Sequence, residues 1–128
     1  MPRPPLVLLL PGDPLTRRLT ESGLQSYGFH VHLVCDTSEA LVLLRANKHI
    51  DALVVDADVA GALAMAKLAR AVRPELSVVY TARLPYKLAD REKVPGAPCI
   101  CAPYHPHQLV GVISGLLQRS PCNEQEAA

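Results

Sequence analysis

Asp51-Ala52-Leu53-Val54-Val55-Asp56-Ala57-Asp58-Val59-Ala60-Gly61 is the stretch that decides the fold. Ala52 to Val55 are apolar without alternation, the pattern of a strand covered on both faces and therefore of a parallel sheet. The run stops at one carboxylate, Asp56, and the loop after it carries a second, Asp58. Moving outward, the same pattern recurs. Leu76 to Tyr80 is a buried-type strand ending in Thr81, and Leu6 to Leu10 is another, closed by Pro11 and Gly12. Phe29 to Cys35 and the short run Pro98 to Ala102 complete five strands.

Helical patterns separate them. Asp13 and Pro14 suit a helix start, a cap followed by a residue that needs no N–H. Leu15, Leu19 and Leu24 supply apolar positions until Tyr27 and Gly28. Asp36-Thr37-Ser38-Glu39 reads as a capping box, followed by Leu41, Leu43, Leu44 and Ala46. Ala62 to Val72 is rich in helix formers and ends before Pro74. Leu84 to Lys93 is less regular and is expected to form a short exposed helix. His105-Pro106 opens the last helix, with Leu109, Val112, Ile113, Leu116 and Leu117 on its apolar face. Strands and helices alternating five times specify an α/β domain: a doubly wound five-stranded parallel sheet with helices on both faces. Residues 1–128 read as one domain, with a core over about 5–119 and a flexible tail at 120–128.

Composition narrows the function classes. Apolar residues make up 49% of the 128 and charged residues 20%, as in water-soluble domains. Thirteen basic side chains balance twelve acidic ones, so overall charge suggests neither nucleic acid nor membrane as a partner. No apolar run reaches the roughly 20 residues of a bilayer span, and the N-terminus lacks a secretory pattern. A cytoplasmic location is the expectation. The four cysteines (35, 99, 101 and 122) are accordingly read as reduced thiols, and Cys99 and Cys101 as packing residues on one strand face. Cys101, His105 and His107 lie close in sequence, but their spacing matches no standard metal motif, and capping or surface roles suit the imidazoles better.

In open parallel sheets ligands bind beyond the carboxyl ends of the strands. The polar residues just past each strand are therefore the candidates: Asp13, Asp36, Asp56 with Asp58, Thr81 with Arg83, and the Ala102-Pro103 corner. In that order, Asp51 to Gly61, Tyr80-Thr81-Ala82-Arg83, Val94-Pro95-Gly96-Ala97 and Pro103 to Leu109 resemble the strand-end segments of response-regulator receiver domains, the CheY-like family of two-component signalling. The resemblance covers roughly Pro5 to Arg119.

The resemblance implies a flavodoxin-like fold and a phosphorelay site. In receivers Mg²⁺ is held by an acidic pair after the first strand, the phospho-acceptor Asp and the carbonyl two residues beyond it. A Lys after the fifth strand and a Ser or Thr after the fourth contact the phosphate. Here the acceptor falls on Asp56, the carbonyl donor on Asp58 and the hydroxyl on Thr81. The acidic pair falls on Pro11 and Gly12, the Lys on Ala102 and the switch aromatic on Cys99. Asp13 lies one position past the pair, where a cap is its simplest role, so Asp13, Asp56 and Asp58 are weak metal candidates. Loss of the Lys alone removes a charge-assisted contact of roughly 1.5–3 kcal/mol. Arg83 could replace that cation by pairing with Asp56.

The expectation is thus a degenerate receiver, non-enzymatic and without a cofactor, that works through protein–protein interaction. Its partner would be a histidine kinase or another signalling protein. By resemblance, a docking or homodimer face formed by the family's fourth helix, fifth strand and fifth helix would include Leu84, Tyr86, Lys87, Tyr104 and His107. Two alternatives remain open. One is a functional phospho-receiver accepting phosphate on Asp56 with Mg²⁺ as cofactor. The other is a small-ligand-binding α/β domain, although nucleotide-type glycine patterns are missing.

Overall fold

The computed structural model describes residues 4–10, 14–46, 49–102 and 104–118. Pro11, Gly12, Asp13, Pro103 and the expected tail at 120–128, with Cys122, lie outside the described residues. Five strands, β1 (Leu6–Leu10), β2 (His30–Leu33), β3 (Ile50–Asp56), β4 (Ser77–Ala82) and β5 (Cys99–Cys101), form one sheet in the order β2-β1-β3-β4-β5. Every pairing is parallel. Among the described residues there are four helices: α1 (Pro14–Ser26), α2 (Thr37–Ala46), α3 (Ala62–Val72) and α4 (Pro106–Gln118). The doubly wound α/β sheet expected from the strand pattern is what the chain forms, and strand order reverses between β1 and β3.

β3 lies between β1 and β4, so both its backbone edges and both its faces are covered. Ala52, Leu53, Val54 and Val55 are all buried. On one face, Leu8, Leu10, Leu53, Val55 and Tyr80 pack under α2 and α3. On the other, Val7, Leu9, Val54 and Val79 pack under Leu24 of α1 and Leu109 and Ile113 of α4. Register is pinned at the start of the sheet. Leu6 pairs with Ile50 but Val7 pairs with Ala52, skipping Asp51. The Asp51 carboxylate takes up the irregularity by accepting the Leu6 N–H at 2.9 Å.

Local chemistry explains most element ends. α1 closes in a Schellman turn: Phe29 N–H donates to Leu24 C=O and Gly28 N–H to Gln25 C=O, with Gly28 at φ 90°. Asp36 accepts the Glu39 N–H at 2.8 Å. Glu39 reaches back to the N–H of Cys35, one residue before the expected partner. α3 starts from Gly61 at φ 79°, a left-handed conformation that favours glycine. Its buried face is mostly alanine, Ala62, Ala66 and Ala69 beside Met65, which lets the helix lie close to the sheet.

Three expectations are corrected. The helix expected over Leu84 to Lys93 is two short 3₁₀ turns, Pro85–Lys87 and Asp90–Glu92. Pro85 biases Leu84 away from helical geometry, and Leu88 and Ala89 are extended. Within this segment only Leu88 reaches the core, followed by Val94 just past its end, a spacing that offers no helical stripe to repay nucleation. Leu19 is 59% exposed and does not join the inner face of α1. Five residues of helix turn Leu24 about 140° away from it, so the inner face runs through Thr20, Gly23 and Leu24, with Tyr27 just past the helix end. Cys101 is also exposed, because β5 is a short edge strand.

That inner face of α1 grips the β5–α4 corner. Thr20 Oγ1 and Tyr104 Oη are 3.0 Å apart, and Tyr27 Oη lies 2.9 Å from His107 Nδ1. Between them Gly23 meets Pro106 so closely that an added Cβ would stand 2.2 Å from the proline Cβ. Gly23→Ala is therefore expected to destabilise by about 1–3 kcal/mol through overpacking. Gly111→Ala, on exposed α4 surface with nothing near its added Cβ, should stabilise by about 0.5–1 kcal/mol. Urea midpoints of the two variants check this opposite sign.

On the other face Tyr80 is fully buried, and its hydroxyl accepts the Val94 N–H at 2.9 Å. Burial pushes its phenol above the ordinary 10.0, against the opposing pull of that N–H and of Arg70. A value raised on folding contributes stability that is complete below about pH 10 and lost as pH climbs through the folded value. Denaturation midpoints should thus fall in the alkaline range, and fall less in Tyr80→Phe. At neutral pH the same variant should lose about 1–3 kcal/mol, because the Val94 N–H is left without a partner.

Candidate functional site

The carboxyl edge of β3 and β4 carries the polar groups singled out in the sequence. Asp56 and Thr81 are register partners, so their backbones lie about 4.8 Å apart. Strand alternation puts both on the α1/α4 side, with Val54 and Val79. Asp56 is half-buried and Thr81 is 5% exposed. Continuing the alternation of β5 past Ile100 brings Ala102 to the same side. Its N–H donates to Ala82 C=O at 2.8 Å, which ties the corner to β4, but its side chain is only a methyl group. The three strand ends therefore offer a carboxylate, a hydroxyl and no cation.

The loop after β3 is tightly held. One Asp56 oxygen, Oδ1, accepts the Asp58 N–H at 2.8 Å, the Asp56 carbonyl accepts the Val59 N–H at 3.1 Å, and Ala57 N–H donates to Thr81 C=O at 2.8 Å. These bonds form an Asx-type turn that fixes the acidic loop against β4. Asp58 is exposed, and its Oδ2 stands 3.4 Å from the Arg83 backbone nitrogen. Arg83 meets Asp58 through its backbone, and among the described residues no ion pair joins it to Asp56. A shallow cleft of about 350 Å³ opens beside this loop, lined by Asp58, Arg83, Leu84 and Lys87.

These residues fit Mg²⁺ poorly. That ion wants a near-octahedral cage of oxygens anchored by carboxylates. Positions 11 and 12, proline and glycine, have no carboxylate to give. Among the described residues no three His, Cys, Asp or Glu side chains converge on one point. Cys101, His105 and His107 are likewise not gathered into a metal-binding group. His105 Nδ1 accepts the His107 N–H at 3.0 Å, and Gln108 Oε1 accepts the His105 N–H at 3.1 Å. His105 is the N-cap of α4, which fixes the lone pair of Nδ1 inward.

The remaining candidates divide between two surfaces. Leu84, Tyr86 and Lys87 sit on or beside the first 3₁₀ turn and are exposed, Tyr86 at 80%. His107 is exposed but engaged by Tyr27. Tyr104 is half-buried against α1. Burial pushes its phenol up, the Thr20 bond opposes this, and the charge of Asp56 adds to the rise. Tyr104 is thus in electrostatic range of the acidic edge, a relation that sequence reading missed.

Cys99, which resemblance sets at the switch-aromatic position, is half-buried against the α2/α3 core. Burial raises its thiol, with Lys93 opposing and Cys101, Asp58 and Asp56 adding. Its register partner is Tyr80, so an aromatic ring does stand at this level, one strand inward and held by Val94. The signal was a tyrosine at the end of an otherwise aliphatic strand.

No protein-family model matches the sequence, and no curated protein sequence matches it. Solved structures do match. A response regulator receiver protein from Sinorhizobium medicae is similar with TM-score 0.75 at 24% identity, over 91% of this chain and 96% of that one. A CheY-like receiver domain protein from Methanospirillum hungatei gives 0.78 at 17% identity, over 96% and 98%. HP1043, an orphan response regulator of H. pylori, gives 0.76 at 22% identity, over 91% and 99%. At these identities the likeness is one of architecture: the chain has the fold of the response-regulator receiver domains.

Proposed function

We propose that this chain is a receiver-type signalling module that acts by docking to a protein partner, a histidine kinase or another signalling protein, and not by ordinary Mg²⁺-dependent phosphorylation of Asp56. One observation carries the reading. Asp56 and Thr81 stand in register, yet the third strand end presents the methyl group of Ala102. Phosphoryl transfer to a carboxylate accumulates negative charge that positioned cations must neutralise. At this edge Asp56 and Asp58 add negative charge, and the nearby Arg83 meets Asp58 through its backbone. Part of the Asp56 carboxylate is also committed to the loop turn. The domain is then non-enzymatic and needs no cofactor, and its output lies on exposed side chains such as Leu84, Tyr86 and Lys87.

The phospho-receiver alternative has a specific point in its favour, the retained Asp56–Thr81 pair. Intact-mass measurement after incubation with Mg²⁺ and acetyl phosphate decides between them. The docking reading expects no phosphoryl adduct, with the wild type indistinguishable from Asp56→Asn. A stable adduct on the wild type that Asp56→Asn abolishes would overturn it and make Asp56 a working acceptor.

A further inference from the structure

The near-neutral total charge conceals an uneven distribution. Residues 67–93 hold seven of the thirteen Lys and Arg and three of the twelve Asp and Glu, leaving six against nine elsewhere. The fold gathers this excess on one side. α3 and the two 3₁₀ turns all cover the same sheet face, with Leu88 and Val94 packed there. Lys67 of α3 donates to the Arg91 carbonyl of the second turn, which locks the helix to that segment. At the amino end of the same segment Arg83 and Lys87 line the shallow cleft with Leu84 and Asp58. Tyr86, in the 3₁₀ turn between Leu84 and Leu88, is 80% exposed.

We infer that this side binds an acidic, amphipathic segment of a partner protein, whose carboxylates meet Arg83, Lys87 and the Lys67–Arg91 edge while an apolar side chain enters the cleft beside Leu84 and Tyr86. The inference rests on the docking role proposed above and names the chemistry of the partner. Charge complementarity selects an acidic occupant. The cleft, about 350 Å³, is at the small end of ligand pockets, with room for an anchoring side chain. An exposed tyrosine next to cations is the composition of a protein-binding hot spot. Asp58 in the cleft wall and Asp90 in the second turn interrupt the positive field. A continuous phosphate backbone would meet both, whereas a peptide can space its carboxylates around them.

Fluorescence anisotropy with a labelled peptide of repeating Glu-Glu-Phe tests this on the full chain. Binding at low salt should weaken as salt rises and should vanish for the Gln-Gln-Phe peptide. The double variant Arg83→Ser/Lys87→Ser should bind about tenfold more weakly, a loss of order 1.4 kcal/mol, and Tyr86→Ser should also weaken binding. Arg17→Ser/Arg18→Ser, on α1 across the sheet, should leave affinity unchanged. All these side chains are partly or fully exposed, and circular dichroism confirms that each variant is folded. No binding of the acidic peptide, equal affinity of the Arg83/Lys87 variant, or an equal loss from the Arg17/Arg18 variant overturns the inference. So does displacement of the peptide by duplex DNA at lower concentration. Failure here without an Asp56 adduct removes this surface and leaves the docking role standing, whereas an Asp56 adduct removes that role and leaves the peptide result intact.

Discussion

The structure depends on the complete burial of β3. A strand with covered faces and two hydrogen-bonded neighbours has no water for its backbone, so every N–H and C=O must find a partner in register. Register with β4 sets Asp56 opposite Thr81. Register with β1 is kept despite the skipped Asp51, because the Asp51 carboxylate accepts the Leu6 amide. One acidic side chain at the start of the sheet thus helps decide which groups meet at its far end. A slip by one residue would send Asp56 toward the α2/α3 core.

A second constraint acts at the β5–α4 corner. β5 is only three residues long and lies at the sheet edge, so its ladder cannot hold the corner alone. Ala102 is bonded to Ala82, and Tyr104, Pro106 and His107 are held against one face of α1. His105 and Gln108 cap the helix that follows. Tyr104 and His107, which resemblance places on a docking face, are committed to this seam. The segment before β5 differs in kind. Its two short turns contribute no buried residue, Leu88, Val94 and Ala97 outside them reach the core, and Leu84 and Tyr86 stay in solvent, so its side chains are available for contact.

Legibility varied with how local the cause was. The β1, β3 and β4 runs, the Gly28 break and the Asp36 cap were readable because each follows from a short stretch and its own backbone. Asp56 and Thr81 were readable as strand ends. The apolar positions Leu15, Leu19 and Leu24 did not together mark the inner face of α1, because that face is chosen by the neighbour it meets: Tyr104 wants the Thr20 hydroxyl and Pro106 wants the missing side chain of Gly23. The segment Leu84 to Lys93 misled for a related reason, since its composition allows a helix and its core contacts do not support one.

The sequence by itself determined the α/β class, the buried strands and the identities of the side chains at the strand ends, because apolar periodicity and side-chain identity are local properties. It also contained the excess of cations in residues 67–93, though as a count without a place. Tertiary structure alone decided that Asp56 and Thr81 share a side, that Tyr80 is held by Val94 next to Cys99, and that Lys67 and Arg91 join one basic flank. Those relations link residues far apart in the chain. They exist only once burial has fixed strand order and register, which no window of sequence specifies.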